Sequence, residues 1–258
     1  MGFLTFLSDF GTTDHYVAAV KAKILTLNPE QQIVDISHHV EPFNIPHGYH
    51  VLNSVFQDFP PGTVHLVAID THAAKNGRYQ AARYKGHYFV CADNGLLSLL
   101  IDGEPDQLID LPPQPGSSSP ARDIMVPAAV ALAKGTPMAE IGELATDMVQ
   151  LLNRQLRLND HSVIGHVVHI DHYGNLITDI TRESVDAIGH GRPFTIHFAR
   201  EVISQISNRF SQPEDGDCVV LFNRQGFLTI GINKGNAAEL LGMYFDSMVE
   251  VRFNPDKD

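Results

Sequence analysis

The stretch "FLSDFGTTDHYVAAVKAKIL", residues 6–25, decides how the N-terminal half of the chain folds. Apolar Phe3, Leu4, Phe6 and Leu7 read as a buried strand. Val17, Val20, Ile24 and Leu27 then recur at near-helical spacing, which predicts a helix over 17–27 that Asn28-Pro29 ends. Between strand and helix stand Ser8-Asp9-Phe10-Gly11-Thr12-Thr13-Asp14: two carboxylates, a glycine and three hydroxyls. A carboxylate at a helix N-terminus can cap it and suits its dipole, which fits Asp14. Asp9 lies further from the helix start. At a strand exit it is placed to accept two hydrogen bonds from a vicinal diol, as nucleoside riboses offer. The turn is not a phosphate loop, since it lacks the Gly-x-x-x-x-Gly-Lys spacing and its carboxylates repel phosphate.

Further along, residues 32–36 read as a second strand and 47–59 as a second helix closed by Pro60-Pro61-Gly62. "TVHLVAID" (63–70) is a third strand ending in Asp70. A hairpin turns at Lys85-Gly86-His87, and Asp93-Asn94-Gly95 leads into a short helix. Strands alternating with helices predict an α/β N-terminal domain with a largely parallel sheet, in which ligands bind at the strand carboxyl ends. Proline and glycine exclude regular structure from 111–123. Residues 123–135 restart as a helix, regular from about Pro127, and 146–160 reads as a connector. From His161 the texture changes to short β-rich runs separated by turns, which predicts an all-β, barrel-like C-terminal domain. The expected domains are 1–155 and 156–258.

The chain has 258 residues, 43% of them hydrophobic, enough for one large core or two smaller ones. A net charge of -12 argues against a nucleic-acid partner, whose phosphates need a basic face. Cys91 and Cys218 are the only cysteines, so no disulfide framework is implied and a cytoplasmic location is expected. The N-terminus lacks the basic region of a signal peptide, and no apolar run approaches the ~20 residues that span a bilayer.

Three further segments carry chemistry. In "IDTHAAKNGRY" (69–79), Asp70 and Arg78 form either a surface ion pair of little energy or a carboxylate and guanidinium that orient a water. His72, two residues past Asp70, reads as a solvated loop histidine, the alternative being a catalytic histidine beside that carboxylate. In "HIDHYGNLITD" (169–179), Gly174-Asn175 accounts for a turn, but not for Asp171, Tyr173 and Asn175 crowded into five residues. A metal site there would need a second cluster. "DISHH" (35–39) is the one candidate, and no metal is expected. In "FNRQGFLTIGINKGNAAELLG" (222–242), a helix begins at about Asn236. The Gly235-Asn236-Ala237 amides make either a turn and cap or a contact to a base edge.

These motifs, with "IVDISHHV", "PPGTVHLVAID", "DNGLLSLL", "ARDIMVPAA" and "GNAAELL", resemble in order those of the S-adenosyl-L-methionine hydroxide adenosyltransferases, relatives of the fluorinases and chlorinases. The resemblance spans Phe3 to about Phe253. It implies an N-terminal α/β domain, a C-terminal β-barrel and attack of water on the ribose C5′ of S-adenosylmethionine, giving adenosine and L-methionine. No cofactor is implied. A homotrimer is, with each site between the N-terminal domain of one subunit and the C-terminal domain of the next. Residue by residue, Asp9 matches the carboxylate that grips the ribose diol. Phe10, Thr13 and Asp14 lie in the same substrate-contacting motif, Asp14 toward the methionine moiety. Asp171 matches the carboxylate on the methionine ammonium, Tyr173 an aromatic near the nucleoside and Asn175 the amide on adenine. Ala237 matches the backbone contact to the adenine edge, Asn236 is a substrate-binding candidate in the same motif, and Asn94 lies in a shared motif without an assigned role.

The resemblance also marks departures. The hydrolases carry an Asp–Arg–His triad that orients the water. Asp70 matches the aspartate, but Gly77 stands at the arginine, with Arg78 one place later, and Pro120 stands at the histidine. Ala121 stands where the halogenating enzymes place a halide-contacting serine. Arg224 and Gln225 replace a Ser-Arg pair on the methionine carboxylate, which Arg224 can serve from one position earlier. The expected function is hydrolysis of S-adenosylmethionine, with Asp70 and Arg78 as catalytic candidates. The alternatives are a catalytically impaired nucleoside binder, a halide-using transferase and, as an outsider, a metallohydrolase.

Overall fold

The computed structural model describes residues 2–114, 116–152 and 156–254. The chain divides into two compact units that meet in sequence at residues 153 and 154. The first holds a seven-stranded sheet of β1 (Leu4–Ser8), β2 (Ile33–Ser37), β3 (Val64–Ala68), β4 (Tyr79–Tyr84), β5 (His87–Ala92), β6 (Gln107–Asp110) and β7 (Glu143–Leu144), in the order β2-β1-β3-β5-β4-β6-β7. Pairing is parallel from β2 to β5 and antiparallel from β5 to β7. The sheet is therefore mixed, and the parallel half carries the N-terminal stretch.

Every residue of β1 and β3 is buried, as expected of parallel strands covered on both faces. The helices are α1 (Tyr16–Leu27), α2 (Ile45–Asn53), α3 (Leu96–Leu100) and α4 (Val126–Ala133). α1 packs on α4, and α4 packs on β1, β3 and β5; α2 packs on α3, β1 and β2. Because β2 follows β1 on one side and β3 follows on the other, the strand order reverses between β1 and β3. A reversal of this kind opens a crevice beyond the strands' carboxyl ends. Ser8-Asp9 and Ile69-Asp70 emerge there.

Several expected boundaries shift. α2 begins and ends earlier than 47–59, because Asn44 caps it by accepting the His47 N–H at 3.0 Å and Pro46 supplies a first-turn φ; 56–58 form a separate 3₁₀ turn. β3 stops at Ala68 rather than at Asp70, whose backbone is left-handed (φ 42°). α4 is preceded by a π-helical turn at Ala121–Met125.

The second unit is an eight-stranded antiparallel sheet of β8 (Arg157–Asn159), β9 (Ser162–Ile170), β10 (Leu176–Thr181), β11 (Phe194–Phe198), β12 (Glu201–Ile203), β13 (Cys218–Phe222), β14 (Phe227–Ile232) and β15 (Met248–Phe253). It runs β12-β11-β15-β9-β10-β14-β13, with β8 also on β9. Register shifts along β10 bend it around a core of Val163, Leu176, Ile180, Ile196, Leu228 and Val249, giving the expected barrel-like shape. Two short helices accompany it, α5 (Arg182–Gly189) and α6 (Ala237–Leu241). α5 lies inside the region that reads as all-β.

Candidate active site

A cleft of about 630 Å³ lies at the β1/β3 switch point of the first unit, within the size range of small-molecule sites. Asp9, Phe10, Asp70, His72, Pro120 and Ala121 are among the residues lining it. Asp9 anchors it. Its Oδ2 accepts the backbone N–H of Phe43 and that of Asp70, both at 3.0 Å. A carboxylate oxygen held by two amides is a fixed acceptor, and Oδ1 takes no hydrogen bond among the described residues.

Asp70 is held by its main chain. Its amide goes to Asp9, and its carbonyl receives the Ala73 N–H at 3.1 Å and Asn94 Nδ2 at 3.3 Å. Asn94, itself buried, also donates to the Ile69 carbonyl at 2.9 Å. These bonds over-determine a left-handed conformation that costs a non-glycine residue about 1–3 kcal/mol. Asn94 thus braces the peptide that carries Asp70, and it is not among the residues lining the cleft. Burial, and then the neighbouring Asp9 charge, push the Asp70 carboxyl above its ordinary range, while His72 pulls it back.

Arg78 stands elsewhere. Its guanidinium binds Asp93 (Nε to Oδ2, 2.6 Å) and Asp147 (2.9 and 3.2 Å), with Asp110 at 3.7 Å. It does not line the Asp9–Asp70 cleft. The expected pairing with Asp70 is replaced by this carboxylate cluster, in which Asp93 is almost wholly buried and also accepts the Val149 N–H at 2.7 Å. Asp147 and Asp93 hold the guanidinium above its ordinary pKa.

Phe10 lines the cleft and meets Tyr16 edge-on at 6.1 Å; Thr13 and Asp14 are exposed and do not line it. Asp14 does not cap α1, whose N-cap position is His15 with no side-chain bond. Ser8, beside Asp9, is buried and shares a hydrogen bond with His38 Nδ1 at 2.7 Å; His38 Nε2 lies 3.2 Å from Asp35. This chain of contacts steadies the β1 exit from below.

The second unit has its own cleft, also about 630 Å³, lined by Asp171, Tyr173, Asn175, Phe210, Lys234 and Asn236, among others. Asp171 builds the turn that the sequence announced. Its Oδ1 accepts the amides of Tyr173 and Asn175, and its Oδ2 accepts Asn175 Nδ2, all at 2.9 Å. Gly174 has φ 81°, and an added Cβ would lie 1.9 Å from Asn236 Oδ1. Asn236 caps α6 by accepting the Glu239 N–H at 3.2 Å, and Ala238 N–H reaches the Gly174 carbonyl at 3.0 Å. The "HYGN" turn and the "GNAAELL" helix start are therefore one constructed site. Tyr173 is largely exposed over it, and Ala237 is buried at the first position of α6. Arg224 lies in the β13–β14 turn and does not line this cleft.

Sequence reasoning ranked His72 low and missed Ser119 as lining of the first cleft and Phe210 and Lys234 as lining of the second. His72 carried a signal, its position two residues after a strand-exit carboxylate. Phe210 carried none, being brought to Gly231 by the fold alone. Among the described residues no group of three or more His, Cys, Asp or Glu side chains is arranged to hold a metal ion, and no helix is long and apolar enough to cross a membrane.

Residues 4–142 match the model of the SAM hydroxide adenosyltransferase N-terminal domain, and residues 165–250 that of the C-terminal domain. The (R)-S-adenosyl-L-methionine hydrolase of Methanocaldococcus jannaschii is 30% identical over 97% of this chain and 96% of its own. The enzyme of the same name from Thermus thermophilus is 30% identical over 92% and 94%. The fluorinase of Nocardia brasiliensis is 28% identical over 91% of each. A solved structure of an uncharacterized conserved protein from Thermotoga maritima superimposes with a TM-score of 0.88 at 29% identity, over 97% of this chain and 100% of that one.

Proposed function

The chain belongs to the SAM hydroxide adenosyltransferase family, and from that premise we propose that it hydrolyses S-adenosyl-L-methionine to adenosine and L-methionine. Water attacks the ribose C5′ in line with the departing sulfur. The observation that carries the proposal is Asp9. Its Oδ2 is locked by two amides in a crevice at the strand switch point, and the rest of the carboxylate is left to grip a diol. The sulfonium is a permanent cation that leaves as a neutral thioether, so the chemistry requires no general acid and calls for no metal or organic cofactor. It requires alignment of water, C5′ and sulfur, which can contribute up to ~7–11 kcal/mol.

In this reading Asp9 and Phe10 hold the sugar and Asp70 orients the water. Asp171, Tyr173, Asn175, Asn236 and Ala237 hold the remainder of the nucleoside and the amino-acid end. Asp14, Thr13 and Arg224, which line neither cleft, are assigned to the methionine moiety by their place in the matching motifs. We take the working form to be a homotrimer in the cytosol, each site using the first unit of one subunit and the second unit of its neighbour. Relatives named for the (R) form of the substrate support the (R) sulfonium epimer as the molecule turned over.

The test is incubation of the purified chain with each sulfonium epimer, following adenosine by chromatography. Adenosine and methionine formed in equal amounts from the (R) epimer are expected. Calorimetric binding with no adenosine above a buffer blank would leave a nucleoside binder and remove the hydrolase reading.

A further inference from the structure

We propose that His72 is the base that takes the proton from the attacking water, while Asp70 holds that water in line; this rests on the hydrolase reading above. In hydrolysis of a sulfonium the one proton that must move belongs to the nucleophile. The titratable and charged side chains lining the cleft are Asp9, Asp70, His15, Tyr16, His72 and Arg122. Asp9 is engaged at Oδ2 by two amides and is assigned to the diol. Arg122 has no lone pair to offer and is paired with Asp123 at 2.6 Å. Tyr16 carries its own hydroxyl proton, and Asp70 is assigned to holding the water. The two imidazoles are the remaining side chains with a ring-nitrogen lone pair to offer a water proton. His15 is at the start of α1, its ring against Tyr16 at 4.7 Å. His72 shares a turn with Asp70.

That turn is built to hold both side chains. The Asp70 carbonyl accepts the Ala73 N–H at 3.1 Å, which closes residues 70–73. The Thr71 carbonyl between them accepts the Tyr79 hydroxyl at 2.9 Å, and Thr71 is buried. The Asp70 end is fixed by Asp9 and Asn94. From this braced backbone Asp70 and His72 both reach the same cleft. Neither side chain is hydrogen-bonded to another protein group among the described residues. Other histidines of the unit differ: His38 is buried and bonded to Ser8, and His65 is buried, bonded to Thr5 and depressed to about 3. His72 is exposed at the cleft mouth, where it can exchange its proton with solvent.

The water oxygen bonds to C5′ as the C5′–S bond breaks, and the bonding pair stays on sulfur as the neutral thioether of methionine. One water proton passes to the His72 imidazole; the other remains on the 5′-hydroxyl of adenosine. The imidazolium then loses its proton to solvent, so one proton is released per turnover.

The test uses the full chain and its His72→Gln and His72→Ala variants, with adenosine formation measured from pH ~5 to ~9 across the imidazole titration range. The wild type is expected to gain rate as pH rises. His72→Gln is expected to lose ~10²-fold or more in kcat, the scale of general-base catalysis, to keep its KM and its calorimetric affinity, and to lose the acid limb. Added imidazole is expected to restore part of the activity of His72→Ala. An active wild type whose His72→Gln variant keeps kcat and the acid limb, or changes only KM, overturns the assignment of His72 alone. A wild type that forms no adenosine overturns the hydrolase reading and this inference with it.

Discussion

The backbone N–H of Asp70 donates to Asp9 Oδ2 at 3.0 Å, which fastens together two cleft carboxylates that lie 61 residues apart in sequence. One oxygen of Asp9 is a structural acceptor, and the other is available to a ligand. This division gives Asp9 two separable jobs. Asp9→Asn keeps a carbonyl oxygen for the Phe43 and Asp70 amides but loses the charge. It is expected to keep the melting temperature and to weaken nucleoside affinity ~10-fold or more, the value of a charge-assisted hydrogen bond. Asp9→Ala leaves both amides without their acceptor and is expected to lose stability as well as affinity. Calorimetry beside thermal unfolding checks the pair; unchanged affinity in both variants contradicts the diol role.

Asp70 is a charge that the fold tolerates at a cost. Its carboxyl is raised above the ordinary 3.8 by burial and by Asp9. A raised carboxyl pKa means that the native state holds its proton more tightly than the unfolded chain does. The favourable contribution is complete below the unfolded value and is lost as pH rises through the folded one. Asp70→Asn removes the charge and suits a left-handed backbone. It is expected to raise the melting temperature at pH ~7, with the gain vanishing near pH ~3, below the ordinary carboxylate range. Hydrolysis should fall over the same comparison. Thermal unfolding at the two pH values is the measurement.

What the sequence made legible was what short-range chemistry dictates. The alternation of apolar runs and helical spacing marked β1, α1 and β3, and the β-rich runs after His161 marked the strands of the second unit. "HIDHYGN" announced a turn crowded with side chains, and Asp171 builds it with three hydrogen bonds. What was not legible depends on long-range partners. Arg78 finds Asp93, Asp110 and Asp147 up to 69 residues away, and nothing in residues 69–79 favours them over Asp70. Asp70 reads as the end of a strand, because a left-handed residue leaves no mark when it is not glycine. α5 was hidden because its capping box pairs Thr181 with Ser184 rather than with a glutamate. β7 is two residues long and exists only because β6 offers it an edge.

Asn94 connects scaffold to chemistry without facing the cleft. It holds the carbonyls of Ile69 and Asp70, and its Oδ1 accepts the Leu96 N–H at 3.3 Å. Asn94→Ala is expected to cost ~1–3 kcal/mol for the unpaired carbonyls and to release Asp70 from its left-handed backbone. The kinetic mark is a fall in kcat with little change in KM, since the diol grip on Asp9 survives. Asn94→Asp keeps the acceptor but lacks the donor, so it should not rescue kcat. Rescue by aspartate contradicts the positioning role.

Arg78 makes a different prediction because its partner is buried. The Asp93 side chain is 1% exposed and is neutralised by the guanidinium. Arg78→Ala strands that charge and is expected to cost ~3–5 kcal/mol. Arg78→Lys offers a point charge in place of a fork and should recover only part. Below its unfolding temperature Arg78→Lys should keep its turnover of S-adenosylmethionine. Near-complete loss of kcat with stability retained would instead place Arg78 in the chemistry.

In the second cleft the Asn236 side chain fills the space that a Cβ on Gly174 would need. A methyl group on Gly174 meets Asn236 Oδ1 at 1.9 Å and Cγ at 2.3 Å, and the backbone there has φ 81°. Gly174→Ala therefore combines left-handed strain with a collision, at least ~2 kcal/mol together. Asn236→Ala removes the colliding atoms and gives up the α6 cap, at ~1 kcal/mol. In the double variant the collision is absent, so its loss of stability should be smaller than the sum of the single losses, while the φ strain persists. A double-mutant cycle by chemical denaturation reads this coupling. Additive losses would mean that turn and helix start are independent, and the reading of "HYGN" and "GNAAELL" as one site would fail with them.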